Sequence, residues 1–195
     1  SAFFHTLKDC TALEKIFPEI NCLFGVPQPE KHHPEIDTGL HSMLCLEQAA
    51  QLSASPEVRF AALVHDLGKG LTPKELWPHH YGHETNGLHA LEKLCGRLRV
   101  PNAFKALAIH VMQYHTHCHK AFELRASTLT DALGVLGAFK ANNTLHEFLL
   151  ACEADAKGRT GFEHTSYPQA EMIKLAAKAA ASADTSVILN TELEG

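Results

Sequence analysis

The doublet His65-Asp66 is the first feature of the sequence whose residue types could do chemistry. It directly follows an uninterrupted apolar run over residues 60–64, so the helix that carries it should be buried on most sides. A charged carboxylate in such a place costs free energy unless a cation or hydrogen-bond donors face it. The alternative is that Asp66 caps a loop and His65 is an ordinary core residue, and the doublet alone does not decide between the two.

Asp155 is a second acidic group on an apolar helical face. The residues three, four and seven positions before it are Cys152, Ala151 and Phe148, which share its face at helical spacing. An inward-facing aspartate late in a helix has no obvious structural role. A bound metal ion would give it one.

Three histidines extend this set. His41 shares a helical face with Leu44, His115 continues an apolar stripe in the segment 101–119, and His83 comes just before a helix at the end of a long connection. A single inward histidine is more often a hydrogen-bonded core residue. Several imidazoles and carboxylates on inward faces of one small domain favour a metal site.

The other histidines of the 15 in the chain are ranked lower. His79 and His80 belong to the loop. His117 and His119 are expected to neighbour a site without being ligands. Seven others are expected to face solvent or to pack against other residues, namely His5, His32, His33, His89, His110, His146 and His164.

The predicted metal ligands are therefore His41, His65, Asp66, His83, His115 and Asp155. Imidazole nitrogen and carboxylate oxygen suit Zn, Mn, Fe, Co or Ni. Six donors are too many for one tetrahedral site, and they could hold two ions with the two oxygens of Asp66 as a bridge. Such ions lower the pKa of bound water and stabilise displacement at phosphorus. Lys69 and Arg159 could neutralise phosphate oxygens, or each could be a solvated charge.

Composition limits the class of protein. The chain is 45% hydrophobic and 20% charged, with a net charge of −5, which is typical of a soluble globular domain and not of a dedicated nucleic-acid binder. No apolar run reaches the roughly 18 residues of a membrane span, and no signal peptide opens the sequence, so a cytoplasmic location is expected. The six cysteines form no C-x-x-C pair, which favours reduced core residues over a disulfide scaffold or a thiolate zinc site.

Helical periodicity runs through almost the whole chain and predicts an all-α fold, a single helical bundle of about seven to nine helices. Predicted helices cover residues 11–17, with Thr11 as a possible cap, then 34–52, a helix entered through Ser55 and Pro56, 82–100, 101–119 and three later segments. Only residues 185–189 have the β-branched composition of a strand. The connection over residues 68–83 is long enough to suggest a function.

His41, His65-Asp66 and Asp155, in that order, match the H…HD…D signature, and the chain thereby resembles the HD-domain superfamily of metal-dependent phosphohydrolases. His83 and His115 match the extra histidines of members with a second metal position. The stretches RFAALVHDLGKGLTPKELWPHHYGHE and EADAKGRTGFE closely resemble the C-terminal HD domain of bacterial CCA-adding enzymes, the multifunctional tRNA nucleotidyltransferases. The likeness extends over about residues 15 to 170.

This resemblance implies an HD domain over residues 31–195 behind a helical lead-in segment, residues 1–30. It implies a larger protein with an N-terminal nucleotidyltransferase head, which this sequence lacks, so CCA addition is not expected. The implied activities are those of a 2′,3′-cyclic phosphodiesterase, 2′-nucleotidase and phosphatase with one or two divalent ions (Ni, Mg, Mn, Co or Zn), acting on nucleotides or tRNA 3′ ends. Thr116 stands where family members can carry an acidic residue, which makes His115 a weaker ligand candidate than His65 or Asp66.

Two other functions remain open at this stage. A non-catalytic domain could position tRNA or form a homo-oligomer, with Lys93, Arg97 and Arg99 as a small basic patch. The ligand types would also allow an HD-fold oxygenase with two iron ions. The phosphate-binding potential of Lys69 and Arg159 favours phosphorus chemistry over that oxygenase.

Overall fold

A computed structural model describes residues 1–141 and 144–183 of the chain. The described part contains eleven α-helices, which are α1 (Ala2–Asp9), α2 (Leu13–Ile16), α3 (Pro18–Asn21), α4 (Thr38–Leu52), α5 (Pro56–Val64), α6 (His83–Asn86), α7 (Leu88–Leu98), α8 (Asn102–His119), α9 (Ala126–Val135), α10 (Leu145–Lys157) and α11 (Pro168–Ala181). Two 3₁₀ helices, Leu67–Leu71 and Lys74–Leu76, lie between α5 and α6.

The all-α prediction is confirmed. Eight of the described α-helices have at least eight residues, and α2, α3 and α6 are single turns of four. The only extended pairing in the described residues is an isolated antiparallel bridge between Pro27 and Asp37. The predicted strand at residues 185–189 lies outside the described part.

Local chemistry sets where helices begin. Ser55 caps α5 as predicted, because its hydroxyl accepts a hydrogen bond from Val58 N at 3.4 Å and Pro56 occupies the first helical position. The helix predicted over residues 34–52 begins only at Thr38, since the Asp37 carboxylate accepts from Leu40 N at 2.9 Å. The predicted Thr11 cap is wrong: Thr11 is left-handed, with φ 60°, and α2 starts after Ala12 without a side-chain cap.

Close backbone packing divides the helix predicted over residues 82–100. It ends as α6 at Asn86 and resumes as α7 at Leu88. At the break, Gly87 lies against the first 3₁₀ helix, where a Cβ on Gly87 would come within 2.7 Å of Gly68 N. The tertiary contact therefore decides this boundary.

The core lies where α4, α5, α8 and α10 pack against one another. Val64, Met112 and Phe148 are almost completely buried there. Leu13, Ile20 and Leu23 from the predicted lead-in segment are also buried, and the division at residue 30 stays a prediction. Within the described residues, no helix is both long enough and apolar enough to span a membrane.

Candidate metal centre

The four central helices bring the predicted ligands to one place. His41 projects from the first turn of α4, His65 and Asp66 follow α5, His115 lies late in α8, and Asp155 lies near the end of α10. These five residues are buried. His83, the first residue of α6, completes the set and is half-buried.

Four donor atoms form a first group. His41 Nε2 lies 3.0 Å from Asp155 Oδ1 and 3.9 Å from Asp66 Oδ2. His65 Nε2 lies 3.2 Å from Asp66 Oδ2 and 3.5 Å from Asp155 Oδ1. Ligand bonds of about 2.0–2.2 Å place neighbouring donors roughly 3.0–3.5 Å apart. Three of these four distances lie in that range, and the distance from His41 to Asp66 is wider.

Three donor atoms form a second group on the other oxygen of Asp66. His83 Nε2 lies 3.4 Å and His115 Nε2 lies 3.8 Å from Asp66 Oδ1. The two imidazole nitrogens are 3.5 Å apart. Beside them, Thr116 Oγ1 donates a hydrogen bond to Glu84 Oε1 at 3.2 Å. Asp66 therefore contributes one oxygen to each group.

Three of these donor atoms are buried without any hydrogen bond. Within the described residues, His65 Nε2 and both carboxylate oxygens of Asp66 find no hydrogen-bond partner, although Lys69 Nζ lies 2.7 Å from Asp66 Oδ2 as an ion pair. Buried polar atoms left in this way cost about 1–3 kcal/mol each. A cation between the donors would remove that cost, so the donor set fits a divalent metal ion.

The orientation of the imidazoles also fits metal binding. Each of the four histidines has a polar partner at Nδ1 and turns Nε2 toward the two donor groups. In three of them Nδ1 must be the donor, because its partner is a backbone carbonyl oxygen at 2.8–3.0 Å. The pairs are His65 with Ala62, His83 with His80, and His115 with Val111. With Nδ1 donating, a neutral ring offers the lone pair of Nε2 as a ligand.

The remaining orienting contacts come from Glu35, His119 and Tyr167, and of these the sequence placed only His119 beside a site. His41 Nδ1 lies 2.9 Å from Glu35 Oε1. His119 Nε2 donates to Asp155 Oδ2 at 2.7 Å, and His119 Nδ1 accepts from the Tyr167 hydroxyl at 2.8 Å. His119 comes one helical turn after His115, and the sequence predicted it as a neighbour of a site and not as a ligand, in agreement with its contact to Asp155. Glu35 lies in an irregular loop, where no periodicity marks it.

Charge and burial compete at these groups. Burial alone would raise the pKa of Asp66 and of Asp155. The facing His65 imidazole nevertheless holds both carboxyl pKa values well below their usual range, together with Lys69 at Asp66 and His119 at Asp155. Burial would lower the pKa of His65, yet Asp66 and Asp155 raise it well above its usual value. Burial and the nearby His65 lower the pKa of His115 to about 3, which keeps that imidazole neutral near pH 7.

The two predicted phosphate-binding cations have different surroundings. Lys69 is buried, its Nζ lies 2.7 Å from Asp66 Oδ2, and it donates to Gln28 Oε1 at 2.5 Å. It is therefore not a solvated charge. Arg159 is half-buried, donates Nε–H to Ala156 O at 2.9 Å and lies over the Phe162 ring, 4.5 Å from its centroid. Both cations line a cavity of about 770 Å³ that also contains Asp66, His83, His115 and Asp155 in its wall.

The basic patch suggested by the sequence is partly neutralised. Arg97 forms an ion pair of 2.6 Å with Glu19 in α3 and donates to Ile16 O at 2.7 Å. Its guanidinium thus fastens α7 to the start of the chain. This pairing weakens the case for a nucleic-acid surface at that place.

Comparison with known proteins identifies the class. The model of the HD domain family matches residues 38–185, and the chain belongs to that family. HD domains form a phosphohydrolase superfamily that binds divalent metal ions, and the described residues include a His/Asp cluster that could hold such an ion.

The chain is also similar to multifunctional CCA proteins. It is 60% identical over 196 residues to the one from Methylococcus capsulatus, covering 100% of this chain and 46% of that protein. It is 57% identical over 168 residues to the one from Teredinibacter turnerae, covering 86% and 41%. With the protein of Nitrosococcus oceani it shares 53% over 193 residues, covering 99% and 48%. The chain thus spans somewhat less than half the length of these curated relatives.

Proposed function

We propose that this chain is a metal-dependent phosphohydrolase domain that hydrolyses 2′,3′-cyclic nucleotides, 2′-nucleotides and other phosphomonoesters. One observation carries the proposal. The imidazole Nε2 atoms and carboxylate oxygens of six residues converge in two groups joined by Asp66, while each imidazole Nδ1 already has a partner. A structural histidine cluster has no need to leave buried donor atoms without hydrogen bonds.

The ligand roles follow the two groups. His41, His65, Asp66 and Asp155 would hold one divalent ion, and Asp66, His83 and His115 would hold a second. The ions would be Ni, Mg, Mn, Co or Zn. Bound there, they would supply activation of water and stabilisation of charge on phosphoryl oxygens. If the second position is empty, His83 or His115 is placed to give a proton to the leaving oxygen.

The cations have complementary roles in this proposal. Lys69 keeps Asp66 ionised across their 2.7 Å contact. Arg159 lies in the cavity wall with its guanidinium against Phe162, where it can neutralise a phosphate oxygen as negative charge builds up. Water adds to phosphorus, the ester P–O bond breaks, and the leaving oxygen takes up a proton. At about 770 Å³ the cavity has room for a nucleotide.

The biological setting is inferred from the relatives. Because they are named multifunctional CCA proteins, we infer that this HD domain belongs to a larger cytoplasmic protein with a nucleotidyltransferase head. Its natural substrates would then be nucleotides at the 3′ ends of tRNA, and its hydrolytic activity would serve their repair. A homo-oligomer is compatible with this arrangement.

Hydrolysis of 2′,3′-cyclic AMP and 2′-AMP tests the proposal. The protein is assayed in EDTA and then with Mg²⁺, Mn²⁺, Co²⁺, Ni²⁺ or Zn²⁺ restored singly, beside Asp66→Asn and the control Asp131→Asn, an exposed aspartate on α9. We expect turnover to return with metal, to fall at least about 100-fold in Asp66→Asn, and to be unchanged in Asp131→Asn.

Two results would contradict this expectation. Equal turnover in EDTA or in Asp66→Asn would show that the site does not use a metal on Asp66. No turnover with any metal in folded protein would favour the alternative, a non-catalytic domain that positions tRNA or associates with itself. Salt-dependent tRNA binding would then be the next measurement.

A further inference from the structure

The Glu35 carboxylate lies where three separate parts of the chain meet. It belongs to the loop between α3 and α4, and its side chain is 3% exposed. Oε1 lies 2.9 Å from His41 Nδ1 as an ion pair and accepts a hydrogen bond from His33 Nδ1 at 3.0 Å. Oε2 accepts the backbone N–H of Thr160 at 3.2 Å. The carboxylate thus faces three nitrogen atoms, and little of its side chain is exposed.

The contact with His41 differs from those of the other ligand histidines. For His65, His83 and His115 the Nδ1 partner is a backbone carbonyl, which is neutral and does not depend on side-chain identity. For His41, the partner of Nδ1 is an anionic side chain, the carboxylate of Glu35. A carboxylate there fixes the tautomer and makes Nε2 a more basic ligand.

The loop around Glu35 holds an unfavourable backbone conformation to place it. Ile36 has φ 59°, and a β-branched residue in the left-handed region is a genuine outlier with a strained backbone. Its neighbours hold it there, because Gln28 N donates to Ile36 O at 2.7 Å and Ile36 N donates to His33 O at 2.8 Å. Ile36 itself is 41% exposed, so burial of its side chain does not explain the strain. The strained residue directly follows Glu35, whose side chain is 3% exposed.

We propose that Glu35 is a positioning residue for the first donor group: it holds His41 with hydrogen on Nδ1 and Nε2 directed at the metal position. Through Thr160 N it also ties the segment that follows α10, which carries Arg159, to the same carboxylate. The inference rests on the proposed function, since it assigns a role relative to the metal and the phosphate-binding cation named there.

A Zn²⁺ titration against a competing chromophoric chelator tests the proposal on Glu35→Gln. The matched control is Glu30→Gln, the same change at an exposed position of the same loop. We expect the affinity for the first Zn²⁺ to fall about 10–100-fold in Glu35→Gln and to stay within twofold of the wild type in Glu30→Gln. A urea unfolding curve for each variant establishes that it is folded.

The outcomes separate the two proposals. Wild-type protein that binds no divalent metal would overturn the proposed function itself. Wild-type protein that binds Zn²⁺, together with a folded Glu35→Gln variant of equal affinity, would overturn only the role of Glu35.

A second measurement does not depend on the variant folding. Long-range ¹H–¹⁵N spectra of Zn²⁺-loaded wild-type protein should show His41 with its hydrogen on Nδ1. Hydrogen on Nε2 of His41 would contradict the inference.

Discussion

At the scale of the residue, the candidate site has two kinds of member. The six predicted ligands present donor atoms to one another. The sequence marks five of them because buried acid and imidazole groups conflict with their apolar neighbours, and it marks His83 by its place at the end of a long connection. Glu35 and His119 instead contact the far sides of two of those ligands, and Tyr167 bonds His119. Their role exists only relative to another side chain, so spacing along the chain gives little signal for Glu35 and Tyr167 and marks His119 only as a neighbour of the site.

Tyr167→Phe is predicted to reduce activity without removing the metal ligands. The hydroxyl donates to His119 Nδ1 at 2.8 Å, and His119 in turn holds Asp155 Oδ2. Without the hydroxyl the His119 ring is less fixed, and Asp155 with it, so kcat/KM for 2′,3′-cyclic AMP should fall about 10-fold. The exposed Tyr81 provides the control Tyr81→Phe. Equal loss in both variants, or none in Tyr167→Phe, would show that this chain of hydrogen bonds is not used.

At the scale of the element, close approach of two backbone segments places the second donor group. The first 3₁₀ helix and the break between α6 and α7 meet at Gly68 and Gly87. The contact seats His83 opposite His115. A sequence pattern shows that glycine is present at both positions, but it does not show that the two glycines touch.

Gly68→Ala should destabilise the protein and disturb the second donor group. An added Cβ would lie 2.0 Å from His83 O, so the segment with His83 has to move, at about 1–3 kcal/mol. Gly96→Ala in α7 is the control, because nothing lies within 4 Å of its added Cβ, and it should stabilise by about 0.5–1 kcal/mol. Urea unfolding gives both values, and Zn²⁺ stoichiometry should drop only in Gly68→Ala. A Gly68→Ala variant with full stability and unchanged stoichiometry would refute this account.

At the scale of the whole molecule, one continuous core supports the site. The helices α4, α8 and α10 each give residues both to this core and to the donor groups, and α5 gives core residues and leads directly into His65 and Asp66. Removal of a ligand therefore alters the charge balance inside the core as well as metal binding. Other histidines on the same helices influence stability in ways unrelated to the metal.

His110 on α8 is predicted to make the stability of the protein pH-dependent. Partial burial and the charge of Lys140 lower its pKa. As the pH falls below about 6.5, His110 binds a proton more readily in the unfolded chain than in the folded protein. The free energy of unfolding therefore decreases. His110→Gln should therefore lose less stability than the wild type between pH 7 and pH 5.5 in urea unfolding. His89→Gln, at an exposed position of α7, should behave like the wild type; identical pH slopes for all three proteins would exclude the effect.

The sequence by itself determined the fold class, most helices and the six residues of the two donor groups. It could do so because helical periodicity is local and because a charged group on an apolar face is visible within one helix. The tertiary structure alone decided which oxygen of Asp66 faces which group, that Glu35 and His119 orient the ligands, and that Lys69 is buried against Asp66. Those facts depend on distances between helices, which residue spacing along one chain does not encode.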